Sequence, residues 1–190
     1  MPGGWEWARV GSLGITTTGG TPPTNRPECF GGETPFIGPG QISERGEILP
    51  AEKFISELGR LETSIAEQGN VLMVCIGGSI GKCAMTPDAT AFNQQINSIR
   101  VLFGSSNYAL TAMSSLDFQH RVLGVATGSA TPIISKGKWD LLLLPVPPLT
   151  EQVRIVARLE QLLRLCADLR QRLVASQTMQ AKLVDTLVGT

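Results

Sequence analysis

The distribution of proline and glycine constrains this chain more than any other feature. All twelve prolines lie at or before position 148, and no glycine occurs between Gly137 and Gly189. Beyond that point the sequence is rich in Leu, Arg, Gln, Glu and Ala, which favour helix, whereas proline and glycine interrupt helices. The change predicts two parts, a compact unit over 1–149 and one long helix over 150–190.

The predicted helix has a start signal and a heptad pattern. Thr150 is the expected N-cap, and Glu151 is placed at the positive end of the helix dipole. About 38 residues would extend roughly 57 Å at ~1.5 Å per residue. Apolar residues at alternating spacings of four and three predict a coiled-coil seam, which Ser176 and Gln180 interrupt. The seam residues are Ile155, Leu159, Leu162, Cys166, Leu169, Leu173, Leu183 and Leu187.

Further apolar residues widen this seam and leave an alternative open. Val156, Leu163 and Leu165 extend the apolar stripe, so the helix is also expected to pack on its own compact unit or on more than one partner. An ordinary amphipathic helix on a single core is the alternative. A unit of ~150 residues has a diameter of only about 30 to 40 Å, which favours a helix that extends beyond it.

The first 149 residues read as short strands between turns. Runs with strand character are bounded by Gly, Pro, Asn or Ser, and a segment at 108–123 has apolar residues near helical spacing. The predicted strands are 7–13, 34–37, 70–76, 82–85, 95–102 and 140–146. We therefore predict a mixed α/β (α+β) fold, with a mainly β compact unit followed by the long helix.

Composition and charge exclude several classes of protein. At 190 residues, with 42% hydrophobic and 17% charged residues, the chain should fold as one domain with a small addition. Sixteen basic residues balance sixteen acidic ones, so net charge predicts no bulk attraction to nucleic acid. Local placement must supply any such attraction. Residues 71–149 carry five basic against three acidic side chains, whereas residues 1–70 carry five against nine.

The cysteines and the histidine predict neither a metal site nor a disulfide framework. Four cysteines form no CxxC pair, and His120, the single histidine, has no neighbouring ligand set. We expect reduced thiols, no metal, and His120 at the surface or in a satisfied helix position. Neither a signal peptide nor a membrane-spanning segment fits the sequence, so the expected location is the cytoplasm, away from membranes.

Motifs for catalysis and cofactor binding are missing. The segment around Gly81 and Lys82 suggests a phosphate loop, but Ile76 stands where a Walker A loop needs glycine and Cys83 where it needs Ser or Thr. Neither GxSxG nor a GxGxxG opening a βα unit is present. We therefore predict no catalytic residue and no cofactor.

Seven segments in order resemble the specificity subunit of type I restriction-modification systems. They are GWEWARVG (4–11), GGTP (19–22), FGGETPFI (30–37), GSIGK (78–82), NQQI (93–96), GSATPI (128–133) and PVPPLTEQ (145–152). The last segment coincides with the boundary derived above, and together they span nearly the whole chain. The resemblance implies a target recognition domain that reads part of a split DNA sequence, followed by a spacer helix.

The same resemblance implies partners. A full specificity subunit carries two domain-plus-helix units with antiparallel helices, and this chain holds one such unit. The expected partners are double-stranded DNA, a second copy of the chain, a methyltransferase subunit, and a translocating restriction subunit where restriction occurs. The subunit itself is expected to be non-catalytic.

Candidate DNA-binding residues follow from hydrogen-bonding chemistry. Glycines at 19–20 and 77–78 let backbone N–H groups approach a phosphate, and lysines supply phosphate contacts. Arg pairs well with guanine, and Asn or Gln with adenine. The candidates are Gly20, Thr21, Gln41, Arg45, Ser79, Lys82, Asn93, Gln94, Gln95, Lys136 and Lys138. Asn93 and Gln94 have an alternative role, which is to hold a turn together.

The sequence is compatible with two other functions. The chain could be the recognition fragment of a fused DNA methyltransferase or restriction enzyme, or a helical protein-protein adaptor. A methyltransferase acting on adenine needs an Asn/Asp-Pro-Pro-aromatic loop, and neither Pro22-Pro23 nor Pro147-Pro148 has those neighbours. That loop is therefore absent from the sequence.

Overall fold

The computed structural model describes residues 2–128 and 130–188, with side chains as far as residue 180. It divides into two compact units, Met1–Gln152 and Val153–Thr190. The boundary predicted from the sequence, between residues 149 and 150, lies three residues before this one. The long helix begins inside the first unit and provides the whole described part of the second.

The described residues of the first unit form ten short strands. They are β1 (Glu6–Arg9), β2 (Gly14–Thr18), β3 (Phe30–Ile37), β4 (Lys53–Ile55), β5 (Ile65–Ala66), β6 (Val71–Val74), β7 (Cys83–Met85), β8 (Thr90–Phe92), β9 (Ile96–Val101) and β10 (Leu143–Val146). The helices are α1 (Glu57–Leu61), α2 (Ser106–Met113), α3 (Leu116–Val125), α4 (Lys136–Asp140) and α5 (Leu149–Val188). This content confirms the predicted mixed α/β class with a long C-terminal helix.

The strands form three sheets. One four-stranded sheet has the order β2-β9-β6-β7 and is antiparallel throughout. The other has the order β4-β3-β8-β5, in which β3 and β8 run parallel. Strands β1 and β10 pair antiparallel in a two-stranded sheet that joins the two ends of the first unit.

Side chains from both four-stranded sheets meet in one core. All four residues of β6 are fully buried, which explains why its sequence, VLMV, shows no alternation of apolar and polar residues. The core cluster consists of Ile37, Ile42, Ala66, Leu72, Val74, Ala84, Phe92 and Ile96. Ile48 and Ala51, which lie in the segment between β3 and β4, pack against it.

Several predicted elements differ from the structure. The strand predicted over 7–13 ends at Arg9, and a 3-10 turn follows over Val10–Ser12. The predicted strand at 140–146 starts only at Leu143, because the Ser135 side chain caps α4 and the helix continues through Asp140.

The predicted helix over 108–123 is two helices. It is broken after Met113, where the Ser115 side chain accepts a hydrogen bond from the Phe118 amide and starts α3. The prediction that Thr150 caps the long helix is also wrong, by two positions. Helix α5 begins at Leu149, and the Pro148 carbonyl accepts the first hydrogen bonds, from Glu151 and Gln152.

Gln152 is a buried polar residue whose side-chain oxygen and nitrogen both form hydrogen bonds. Its side chain is 3% exposed, its Oε1 accepts from the Ser105 amide at 2.9 Å, and its Nε2 donates to the Pro147 carbonyl at 2.9 Å. Gly104 lies against it, so close that a Cβ there would stand 3.0 Å from Oε1. The first turn of α5 is thereby held within the first unit.

Replacing Gln152 by Leu is expected to lower the free energy of unfolding of the first unit by about 2 to 4 kcal/mol. The reason is that a buried N–H and a buried carbonyl lose their partners together. Urea unfolding followed by tryptophan fluorescence measures the change. Gln171→Leu, at an exposed position of the same helix, is the matched control. A difference below about 0.5 kcal/mol between the two variants would contradict the expectation.

Candidate nucleic-acid interface

The amide side chains of the NQQ segment form a network with the glycine-rich turns. Asn93 Nδ2 donates to Gln95 Oε1 at 3.1 Å, and Asn93 Oδ1 accepts from the Gln95 amide at 3.0 Å. A Cβ on Gly38 would lie 3.1 Å from Asn93 Nδ2, and the Gly38 amide donates to Gln41 Oε1 at 3.0 Å. The structure thus brings Gln41, Asn93 and Gln95 together, and much of their hydrogen-bonding capacity serves to hold the loops.

A second contact adds two more of the predicted residues to this region. Thr21 Oγ1 donates to Gln94 Oε1 at 2.8 Å, and both residues are exposed. The Gly20 amide donates to the Phe92 carbonyl at 3.0 Å. A Cβ on the preceding Gly19 would overlap the carbonyl oxygens of Phe92 and Asn93, so glycine is required there by the close approach of two backbones.

A short hairpin extends from Gln41 and carries Arg45. The Leu49 amide donates to the Gln41 carbonyl at 2.8 Å, and Ile42 and Ile48 pair as an isolated bridge. We call residues 41–49 the recognition hairpin. Ile42 is only 1% exposed and belongs to the core, so the base of the hairpin is fixed while Arg45 at its tip is exposed.

The recognition hairpin lies against the glycine loop, which we define as residues 77–82. Glu44 Oε1 is 2.8 Å from Lys82 Nζ, and a Cβ on Gly46 would stand 3.3 Å from the Cys83 carbonyl. Within the loop the Lys82 amide donates to the Ser79 carbonyl at 3.1 Å. The structure therefore places Arg45, Ser79 and Lys82 on neighbouring loops.

Gln119 anchors the glycine loop from a helix. Its Nε2 donates to the Gly81 carbonyl at 2.8 Å and to the Met113 carbonyl at 2.6 Å. Gly81 has a φ of +90°, and a Cβ there would overlap the Gln119 side chain. Sequence reasoning missed both Gln119 and Glu44. No signal marks Gln119, which is 38 positions from Gly81 along the chain, whereas Glu44 has one weak cue, its position beside Arg45.

The two lysines of α4 have contacts elsewhere. Lys136 Nζ pairs with Asp140 Oδ2 at 2.6 Å on its own helix, and Lys138 Nζ donates to the Val125 carbonyl at 3.1 Å. The segment before α4 does contact the glycine loop, because the Gly77 amide donates to the Pro132 carbonyl at 2.9 Å. Neither lysine side chain is itself joined to the recognition hairpin by an ion pair or hydrogen bond among the described residues.

The predicted seam of α5 is exposed in the single chain. Leu162, Leu169 and Leu173 are 43%, 55% and 60% exposed, and Leu159 and Cys166 are exposed as well. Ile155 is partly buried. The side chains of Leu183 and Leu187 lie outside the described residues. Ion pairs between Glu160 and Arg164 and between Asp168 and Arg172 follow the i, i+4 spacing of the helix.

The buried thiols of Cys75 and Cys83 are poorly suited to act as nucleophiles or metal ligands. Burial raises the pKa of the Cys75 thiol to about 12 and raises the pKa of Cys83 as well, so both are protonated at neutral pH. Within residues 2–128 and 130–180, whose side chains the structure describes, no three His, Cys, Asp or Glu side chains are grouped so that they could hold a metal ion. No helix in the same ranges is long and apolar enough to cross a membrane.

Comparison with solved structures finds the same fold in three chains from type I restriction-modification systems. A chain from a study of complex assembly and conformational transition of the type I R-M system matches 96% of this chain with a TM-score of 0.73 and 21% identity. The HsdS subunit from Thermoanaerobacter tengcongensis matches 90% with a TM-score of 0.67 and 22% identity. The S subunit of a type I restriction-modification system from M. genitalium matches 82% with a TM-score of 0.60 and 15% identity.

These structures are longer than the present chain. The chain spans 44%, 40% and 38% of the three solved chains, less than half of each. Among curated proteins, the specificity subunit of the type I restriction enzyme EcoAI from Escherichia coli is 47% identical over 47 residues, which is 25% of this chain and 8% of that protein.

A sequence model of one protein family matches almost the whole chain. The model of the type I restriction modification DNA specificity domain matches residues 2–176, which include every strand described above and most of α5. This match confirms the resemblance drawn from the seven sequence segments. The chain belongs to the type I restriction modification DNA specificity domain family.

Proposed function

We propose that this chain is a non-catalytic DNA-recognition subunit of a type I restriction-modification complex. The first unit reads one half of a split DNA site, and α5 pairs with α5 of a second copy. The paired chains recruit a methyltransferase subunit and, where one is present, a restriction subunit. No cofactor is needed for these tasks, and the place of action is the cytoplasm.

One observation carries the proposal of self-association. The chain has one recognition unit and one helix with an exposed apolar seam, and it spans less than half of the specificity-subunit chains that it matches. A second copy would supply a second recognition unit and bury the seam. Burial of apolar surface stabilises association by about 25 cal/mol for each Å² removed from water.

Symmetry then determines the kind of DNA site. Two identical chains that use the same patch on both sides are related by a two-fold axis. Their recognition units present the same surface in inverted orientation, so the two half-sites must be identical and inverted. We propose a split palindrome whose central base pairs are not read and whose half-sites are separated by about one helical turn or more.

Methylation mapping tests the proposal. Cells that express the chain with its methyltransferase subunit should modify one palindromic split sequence. An asymmetric site would mean that a different second recognition unit completes the complex. A single contiguous site would exclude the spacer role of the helix, and modification without the chain would exclude a recognition role.

The base contacts are proposed from the recognition hairpin and the exposed part of the amide network. Arg45 and Gln94 are the most accessible of the candidate readers, because Asn93 and Gln95 already bond each other. Substitution of either residue is expected to relax sequence preference at one position and leave the rest of the half-site unchanged.

Lys82 is proposed as a phosphate contact, with a testable effect on salt dependence. Affinity for DNA falls as salt rises because phosphate contacts release counterions, with a slope near 0.9 for each contact. Lys82→Ala is expected to reduce that slope by about one contact and to leave sequence preference unchanged. Fluorescence anisotropy over a salt series measures it.

The matched control for Lys82 is Lys53→Ala. Lys53 is an exposed lysine of β4, outside both the recognition hairpin and the glycine loop, and its removal changes the net charge equally. We expect the slope of this variant to equal that of the wild type. If Lys82→Ala also keeps the wild-type slope, Lys82 does not contact a phosphate.

A further inference from the structure

The tip of the recognition hairpin is a rigid turn that holds an acid beside a base. Ser43 Oγ accepts hydrogen bonds from the Arg45 amide at 3.2 Å and the Glu47 amide at 3.1 Å. The Ser43 amide donates to the Glu47 carbonyl at 3.0 Å, and the Gly46 amide donates to the Ser43 carbonyl at 3.2 Å. These four bonds define the backbone from which the Glu44 and Arg45 side chains extend.

The Glu44 carboxylate is held in position but remains accessible. Its Oε1 pairs with Lys82 Nζ at 2.8 Å, and its side chain is 81% exposed, whereas that of Lys82 is 25% exposed. The ion pair with the less exposed Lys82 therefore orients the carboxylate, which remains open to a ligand. It also places Glu44 on the same surface as the proposed phosphate contact and the proposed guanine reader.

A carboxylate on this surface discriminates between the groups of DNA because it can only accept hydrogen bonds. An ionised carboxylate only accepts hydrogen bonds, and phosphate groups offer no donor. Toward the DNA backbone Glu44 is therefore repulsive, an effect that Lys82 offsets in part. Its favourable partners on DNA are the amino groups at base edges, which in the major groove are cytosine N4 and adenine N6.

We propose that Glu44 is a specificity-determining residue that accepts a hydrogen bond from cytosine N4 in the major groove. Adenine fits less well, because its N7 acceptor lies next to N6 and would face the carboxylate. Arg45, the next residue, has the complementary preference for the O6 and N7 acceptors of guanine. The recognition hairpin would thus read G·C base pairs within the half-site.

This inference rests on the proposed function, and the experiment separates the two. The chain, in complex with its methyltransferase subunit, is bound to a pool of duplexes that contain both half-sites with every base tested at each position. The bound fraction is sequenced. We compare wild type, Glu44→Ala, Glu44→Gln and the control Glu47→Ala, which removes the same charge from the same exposed hairpin.

The expected result is a loss of preference at one cytosine. Wild type should prefer cytosine at that position by about tenfold, and Glu44→Ala should lower this to about twofold or less. Glu47→Ala should bind all duplexes about two- to threefold more tightly, because it removes one repulsive charge. Glu44→Ala should show the same gain only on duplexes that lack this cytosine, because it also removes the acceptor for cytosine N4. Glu44→Gln should move the preference toward adenine, which pairs with an amide.

The alternative outcomes are distinct. If Glu44→Ala keeps the wild-type preference at every position and only gains general affinity, Glu44 is no reader and the inference is overturned while the proposed function stands. The same holds if Glu47→Ala loses the same cytosine preference, since charge alone would then explain it. If wild type shows no sequence preference, the proposed function fails, and this inference with it.

Discussion

Replacing both Leu162 and Leu169 by glutamate is expected to leave the chain monomeric, whereas the wild type is expected to sediment as a dimer. Both leucines lie on the seam of α5 and are about half exposed in the single chain. In the proposed helix pair each glutamate would bury a charge with no partner in an apolar contact, which costs several kcal/mol. A loss of about 4 kcal/mol weakens a dimer about a thousandfold. Analytical ultracentrifugation at micromolar concentration measures the change.

Matched variants show whether the seam or the helix surface in general is responsible. Gln161→Glu with Gln171→Glu adds the same number of charges at exposed positions that lie off the four-three spacing. Glutamate is a good helix former, so neither double variant should lose helical signal in circular dichroism. If the Leu162 and Leu169 variant sediments as the wild type does, the seam is not an interface.

Inserting one heptad of helix-forming sequence in the region from Ser176 to Gln180 is expected to lengthen the DNA spacer. Seven residues add about 10.5 Å to a helix at ~1.5 Å per residue. In an antiparallel pair this moves the two recognition units apart by about the same distance, or about three base pairs at ~3.4 Å each. Seven residues also preserve the register of the seam, so pairing should survive.

The affinity of the elongated chain for DNA is measured on duplexes that differ only in spacer length, and it should change strongly at both the original and the longer spacer. At the original spacer the elongated chain can place only one recognition unit, and affinity should fall by about 100-fold as avidity is lost. Affinity should return at the longer spacer, with both half-sites unchanged. Gln177→Ala, which alters the same region without changing helix length, serves as the control. An unchanged preferred spacer in the elongated chain would show that helix length does not determine half-site separation.

The predictions made from sequence succeeded best where structure depends on near neighbours. The long helix follows from a proline-free segment and the spacing of its apolar residues, since hydrogen bonds in a helix join residues four apart. The strands predicted around β6 and β9 are present with shorter bounds. The family resemblance, carried by the order of seven segments, is confirmed by the match over 2–176.

Four strands were missed because their pairing depends on distant partners. Strands β4, β5 and β8 are two or three residues long, too short for a periodic pattern, and the five residues of β2, GITTT, include a single apolar side chain. Strand β8, for example, has three residues and is held by parallel pairing with β3, which lies more than fifty positions earlier. Such strands form because the rest of the sheet is already in place.

The sequence by itself determined the chemistry available to this protein: one unit rich in turns, one helix with an apolar seam, and a set of polar residues on loops. Only the tertiary structure decided how those polar residues are used. It joined Thr21 to Gln94, anchored the glycine loop through Gln119, and paired Lys82 with Glu44. The physical reason is that hydrogen-bond donors and acceptors far apart in the chain meet only when the sheets pack, and no local spacing encodes those meetings.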